Sequence, residues 1–236
     1  MKVVFVGPSL HGASTDWSGL EPRPPAAQGD VFAAVNQGAT AIGLIDGYFG
    51  STASVWHKEI LFALAQGVRM LGGGSMGALR AAECAPFGME PVGSIAARYL
   101  SEESDDDSLV ALSHGPAEVG FAPVTEALVD MLATFERLMA ANIITSADAA
   151  RLTDAARATF FQERTLAEVI RRAGLSDRPD LERCYAEHFS GIKRADAIAV
   201  VERLRALPAT RGTPPIWRMQ EPPTWRQFVA TNASSI

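Results

Sequence analysis

Three short apolar runs govern what this chain can fold into: KVVFV (residues 2–6), AIGLI (41–45) and VRML (68–71). Each is nearly continuous in apolar character, which fits strands covered on both faces, as in a parallel sheet. Helical spacing separates them. Asp30 introduces VFAAVNQ, which Gly38 closes, and Ser54 introduces VWHKEILFALAQ, which Gly67 closes. MGALRAAEC follows the third run. Strand alternating with helix in this way predicts an α/β fold with a parallel sheet.

Residues 7–29 hold Pro8, Pro22, Pro24 and Pro25 among scattered glycines, and read as a long loop or lid. A helix is expected over 93–101, and a further strand over 109–112 that ends at Ser113-His114-Gly115-Pro116. SEESDDD, residues 101–107, reads as an acidic turn, either solvated or able to dock a basic partner. From Pro123 the pattern becomes helical, over 124–141, 146–160, 165–173, 178–190 and 194–207. The last stretch, with Pro208, Pro214, Pro215, Pro222, Pro223, Trp217 and Trp225, reads as an extended strap or partner-binding segment. The expected organisation is a parallel-sheet N-terminal part (1–122), an all-helical appendage (123–207) and an extended Pro/Trp tail (208–236).

Composition narrows the function. Hydrophobic residues make up 47% of the 236, enough for a sizeable core. A net charge of -6 argues against nucleic acid as the main partner, since phosphate binding needs clustered Lys and Arg. Cys84 and Cys184 form no redox or zinc pattern, and Cys84 reads as a small buried hydrophobe. No membrane span or signal peptide is visible, so a cytoplasmic protein is expected.

In an open parallel sheet, ligands bind outside the carboxyl ends of the strands. There the first strand delivers Gly7-Pro8-Ser9, the second Asp46-Gly47-Tyr48 and the third Gly73-Gly74-Ser75-Met76-Gly77. The later strand is expected to bring His114, and His57 and Lys58 open the helix after the second strand. Gly73 to Gly77 spell G-x-S-x-G at a strand-to-helix turn. That is the pattern of a nucleophile elbow, with helix N–H groups behind it to hold an oxyanion. The same residues also fit a helix N-cap at Ser75 or a glycine-rich anion cradle. The cradle lacks the lysine of a P-loop, and GPSLHG at the first strand lacks the dinucleotide fingerprint.

A nucleophilic serine needs a base, and Lys58, at the mouth of an apolar helix, is the candidate for a Ser–Lys pair. Its alternative is a surface lysine pairing with Glu59. Arg80 and Glu83, spaced i and i+3, fit an ion pair, and Arg80 also fits a contact with a substrate carboxylate.

VFVGPSL, DGYFGSTASVWHKEIL, GSMGALRAAE, FGMEPVG and KRADAIAV together resemble the TfuA-like family, most closely over residues 3–115. The resemblance implies a partner of YcaO-type ATP-dependent enzymes in peptide backbone thioamidation. It implies hydrolysis of a thiocarboxylated, ubiquitin-like (ThiS-like) sulfur carrier by a Ser–Lys pair, releasing sulfide, and help for YcaO in engaging its substrate peptide. No cofactor or metal is expected. The matching positions are Ser75 and Lys58, with Ser9 and Lys193 as rivals. Gly74, Met76, Gly77, Asp46, His57, Arg80 and His114 are expected around the substrate, with the N–H groups of residues 76 and 77 on the oxyanion and Gly72 to Gly74 leaving room for the carrier's glycine tail. The alternatives are a non-catalytic adaptor that docks YcaO and its peptide, and a nucleotide-binding α/β domain.

Overall fold

The computed structural model describes residues 1–50, 52–101 and 106–232. Contacts divide the chain into two units, Met1–Asp105 with Arg194–Ile236, and Asp106–Lys193.

The first unit is built on a five-stranded parallel sheet of β1 (Lys2–Phe5), β2 (Glu21–Arg23), β3 (Ala41–Leu44), β4 (Arg69–Gly72) and β5 (Glu90–Pro91). The spatial order is β2-β1-β3-β4-β5, with Val3 opposite Ile42 and Ile42 opposite Met70. The three apolar runs are the three central strands. The two edge strands were not visible in the sequence, and each carries a proline, Pro22 in β2 and Pro91 in β5. Proline cannot donate to a ladder and so survives only at an edge. The loop expected over 7–29 therefore contains one short strand.

The pleat sends alternate residues to opposite faces. Val3, Phe5, Ile42, Leu44 and Met70 bury one face under the helices α1 (Asp30–Asn36), α2 (His57–Ala65) and α3 (Met76–Cys84). α4 (Ser94–Leu100) packs beside α3. In the second unit, α5 (Leu128–Ala140), α6 (Ser146–Ala158), α7 (Leu166–Arg172) and α8 (Leu181–Glu187) follow in sequence. The chain then returns to the first unit through α9 (Ile192–Ala206). Ala197, Val200, Val201 and Leu204 of α9 cover the other sheet face, over Val4, Ala41, Ile45 and Leu71. Each fully buried Val, Leu or Ile among these contributes about 1.5–3 kcal/mol.

Residues 208–222 carry no helix or strand, as an extended tail should, but the chain ends its described part in α10 (Pro223–Asn232). Pro223 sits where its missing N–H costs nothing, at the first helical position. Trp225 and Phe228, three apart, then meet Phe32, Phe62 and Trp56 in an aromatic cluster with centroids 5.2–5.9 Å apart. Before that helix the tail is tied down by Gly212 N–H to the Gly67 carbonyl at 2.7 Å. Arg211 donates to the Ala39 and Val35 carbonyls, and the Trp217 indole to the Phe87 carbonyl.

The strand expected over 109–112 is absent. Asp107–Leu109 is a 3-10 turn, N-capped by Asp106, and residues 110–113 are irregular. The backbone there is satisfied by side chains of the same unit: Arg164 donates to the Ser108 carbonyl and Lys193 Nζ to the Val110 carbonyl at 2.7 Å. Of the acidic turn, residues 102–105 lie outside the described residues.

Candidate active site

The ends of β1 and β3 are joined through Asp46, two residues past β3. Its carboxylate accepts from the Gly7 N–H at 2.8 Å and the Ser9 N–H at 3.1 Å on one oxygen. The Ser9 hydroxyl donates to the other at 2.7 Å. Asp46 is 1% exposed and Ser9 is buried with it. A buried carboxylate is costly unless hydrogen-bonded, and three donors meet that requirement here. Asp46 thus clamps the Gly7-Pro8-Ser9 turn and fixes the Ser9 hydroxyl. β4 joins the same edge: a Cβ on Gly47 would lie 2.5 Å from Met76 Sδ, so the turns after β3 and β4 are in contact.

Ser75 follows a three-residue turn centred on Gly74 (φ 76°), closed by Ser75 N–H to the Gly73 carbonyl at 2.9 Å. Only a residue without Cβ adopts that conformation cheaply. Ser75 occupies the N-cap position of α3, yet its side chain makes no capping hydrogen bond. It is 3% exposed. The cap alternative is therefore not realised by the hydroxyl, which sits at the positive end of a nine-residue helix without serving it.

Two expectations at this turn are overturned. At Gly72 and Gly73 no room is left for an incoming backbone, because this chain's own backbone fills the space. A Cβ would lie 2.1 Å from the Gly77 oxygen at Gly72, 2.3 Å from the Val92 oxygen at Gly73, and 1.7 Å from the Leu44 oxygen at Gly77. Nor is the Gly77 N–H free for an oxyanion, since it donates to the Ile45 carbonyl at 3.0 Å. The glycines seat the start of α3 directly on β3. Of the two expected oxyanion donors this leaves the Met76 N–H.

Lys58, in the first turn of α2, is half-buried, and its ammonium donates to the Gln220 carbonyl in the tail at 2.9 Å. No hydrogen bond joins Lys58 to Ser75 among the described residues, and Glu59 is not its partner. His57, Arg80 and Glu83 form a separate surface cluster. His57 Nε2 and Arg80 Nη1 each lie 2.7 Å from Glu83 Oε2, and Arg80 Nε donates to the Val55 carbonyl. Partial burial opposes ionisation of Glu83, but bonds from His57 and Arg80 outweigh it and hold its pKa below the usual carboxylate value. The ion pair expected for Arg80 is present and includes His57.

The remaining candidates lie in the second unit. The His114 ring is 2.7 Å from the Gly115 carbonyl and edge-on to Phe121. Lys193 is buried, and its backbone N–H donates to Asp130. Cys84 is buried, and desolvation together with the nearby Glu83 pushes its thiol up to about 12, so it is inert.

One functional-looking group was missed. Glu59 is fully buried, and its carboxylate accepts from the N–H groups of Gly29, Phe32 and Trp56. Burial pushes its pKa up to about 7 despite those bonds. It holds the starts of α1 and α2 together. The signal in sequence was faint, because the N-cap three residues before it is Trp56 and not Ser or Thr.

Among the described residues no group of three or more His, Cys, Asp or Glu is arranged to hold a metal, and no helix is long and apolar enough to cross a membrane. The sequence model of a family described as TfuA-like protein matches residues 46–165, half of the chain. No curated protein was found to match it.

Proposed function

Because the chain belongs to the TfuA-like family, we propose that it serves a YcaO-type enzyme in peptide backbone thioamidation, by hydrolysing a thiocarboxylated ubiquitin-like carrier to release sulfide. The observation that carries this reading is the Ser75 hydroxyl, set at the N-terminus of α3 on the functional edge of the sheet and not used as a cap.

In the reaction, the Lys58 ammonium first gives up a proton to solvent; Ser75 Oγ then attacks the carbonyl carbon of the carrier's terminal thiocarboxylate, and the Lys58 amine takes the hydroxyl proton. The Met76 N–H and the positive end of α3 stabilise the oxyanion. The C–S bond then breaks, and the proton returned by Lys58 leaves with the sulfur as hydrosulfide. Water cleaves the Ser75 ester, giving the carrier's carboxylate and restoring the serine. To act, Lys58 exchanges its bond to the Gln220 carbonyl for one to Ser75. The Asp46 clamp supports the adjoining wall, where the Ser9 hydroxyl contacts the carrier tail.

The test is sulfide release from purified thiocarboxylated carrier without YcaO. Ser75→Ala is expected to lower the rate at least 100-fold and Lys58→Ala by 10-fold or more, with both variants folded. Wild-type rates in Ser75→Ala would overturn the hydrolase reading. A second reading, a non-catalytic adaptor for YcaO and its peptide, is favoured by the bond of Lys58 to Gln220 in place of Ser75. It predicts that both variants keep full thioamidation in the complete system. Nucleotide binding by the Gly73–Gly77 turn would appear as heat on titration with ATP alone, and none is expected.

A further inference from the structure

The chain between α9 and α10 is held unevenly along its length. Its first part is nailed down. Arg69 donates to the Thr210 carbonyl, the Gly212 N–H to the Gly67 carbonyl at 2.7 Å, and Arg211 to the Ala39 and Val35 carbonyls at 3.1 and 2.9 Å. Its far end is α10, seated by Trp225, which is 2% exposed, and Phe228 in the aromatic cluster. Between these anchors, residues 213–222 carry no helix or strand, and none of them is buried. Among the described residues, this span makes two hydrogen bonds to the sheet and the helices α1–α3 with their connections. The Trp217 indole donates to the Phe87 carbonyl at 3.2 Å, and the Gln220 carbonyl accepts from Lys58 Nζ at 2.9 Å. A segment with few buried contacts and exposed hydrogen bonds opens at low free-energy cost.

Lys58 is where this span meets the residues assigned above to the reaction. An ammonium carries three N–H donors and no acceptor. Held on the Gln220 carbonyl, it makes no hydrogen bond to Ser75 and has no lone pair with which to take a proton. The span and the reaction therefore compete for the same nitrogen.

We infer that residues 213–222 are an autoinhibitory strap. Lowered, the strap holds Lys58 on Gln220 and the hydrolase idles; lifted, it frees Lys58 for Ser75. The inference rests on the hydrolase reading above. One net hydrogen bond shifts an equilibrium by about 2- to 10-fold, so the strap throttles sulfide release and does not abolish it.

The experiment loosens the span on either side of Gln220 and leaves Gln220, Lys58 and Ser75 in place. Trp217→Ala removes the indole bond and the edge contact with Phe87. Phe228→Ala removes a half-buried member of the aromatic cluster and weakens the seat of α10. Thermal unfolding is the folding control, and Trp217→Ala alone decides the matter if Phe228→Ala unfolds. Two rates are read on the full chain. One is sulfide release from purified thiocarboxylated carrier. The other is acetylation of the Lys58 amine by acetic anhydride, followed by mass spectrometry, with Lys193 of the second unit as the internal reference. Both rates are expected to rise about 2- to 10-fold in each variant, the size of one released hydrogen bond. The rise in sulfide release is expected to vanish when Ser75→Ala is added. Folded variants with both rates at the wild-type level overturn the strap, and the hydrolase reading stands if Ser75→Ala alone still lowers release. Faster acetylation with slower release makes the span a support of the site and overturns the inference. Faster release with unchanged acetylation traces the gain to a group other than Lys58 and overturns it too. Wild-type release by Ser75→Ala alone overturns the hydrolase reading and the strap with it.

Discussion

Gly77→Ala puts the contact between α3 and β3 to a direct test. The added Cβ would stand 1.7 Å from the Leu44 oxygen and 2.5 Å from the Leu44 carbon. Both are backbone atoms inside the central ladder and cannot swing away. An ordinary carbon–oxygen contact is longer by about 1.5 Å, so the start of α3 must lift by about that much from the strand. Lifting stretches the Gly77 N–H bond to the Ile45 carbonyl, now 3.0 Å. Forcing extra volume into a packed site costs about 1–3 kcal/mol, and losing the hydrogen bond adds about 1 kcal/mol. The sum, about 3 kcal/mol, corresponds to a fall in Tm of about 10 °C for a chain of this size. Gly43→Ala is the comparison. Its Cβ would lie 3.1 Å from Leu204 Cδ2 and from Val200 Cγ1, which are methyl ends of side chains able to shift. That change is expected to cost under about 1 kcal/mol, since small adjustments by flexible neighbours relieve it. The assay is thermal unfolding followed by circular dichroism on both variants. A Gly77→Ala protein melting within 2 °C of wild type, or a Gly43→Ala protein falling as far, would refute the reasoning.

Asp46→Asn turns one acceptor oxygen of the clamp into a donor facing donors. Removing partners from buried charged hydrogen bonds costs about 3 kcal/mol in sum, and chemical denaturation should show it, with sulfide release falling as the Ser9 turn loosens. Glu59 makes stability depend on pH. Its folded pKa of about 7 lies above the 4.5 of the free side chain, so the folded state binds the proton more tightly. Stability is highest below about pH 4.5 as far as this group is concerned, declines as pH rises to about 7 and is level above. Glu59→Gln should flatten that slope in denaturant melts between pH 5 and 8, and an unchanged slope would count against the assignment. Ser75→Ala should leave Tm within about 2 °C, because the buried hydroxyl caps nothing and its removal strands no backbone N–H of α3. A large loss of stability there would show that the hydroxyl is structural.

The central strands were legible because each is covered on two faces, by α1–α3 on one and α9 on the other, and so reads as unbroken apolar sequence. β2 and β5 were hidden by Pro22 and Pro91, which are tolerable only because those strands lie at the edges. The convergence of Ser9, Asp46 and Ser75 at one edge followed from the alternation of strand and helix. The hydrogen bonds from Ser9 to Asp46 did not, because they depend on β1 and β3 being neighbours, and strand order is not written in periodicity. The glycines were visible but misassigned. Sequence shows that a side chain is missing, while only the fold shows what stands in its place. The partner of Lys58 was out of reach for a similar reason, since Gln220 lies 162 residues away.

The sheet of the first unit has a chronology. Val4, Ile45 and Leu71 are made early, yet the residues that cover them, Val200, Val201 and Leu204, lie in the last sixth of the chain. A nascent chain emerging from the ribosome therefore presents one greasy sheet face until α9 appears. The second unit, Asp106–Lys193, is contiguous and can complete its own contacts in the interval. Co-translational folding is then expected to run out of sequence order, with the middle of the chain settling before the beginning. A chain arrested just short of α9 should be bound by chaperones that recognise exposed aliphatic surface, and one arrested after the tail has cleared the exit tunnel should not.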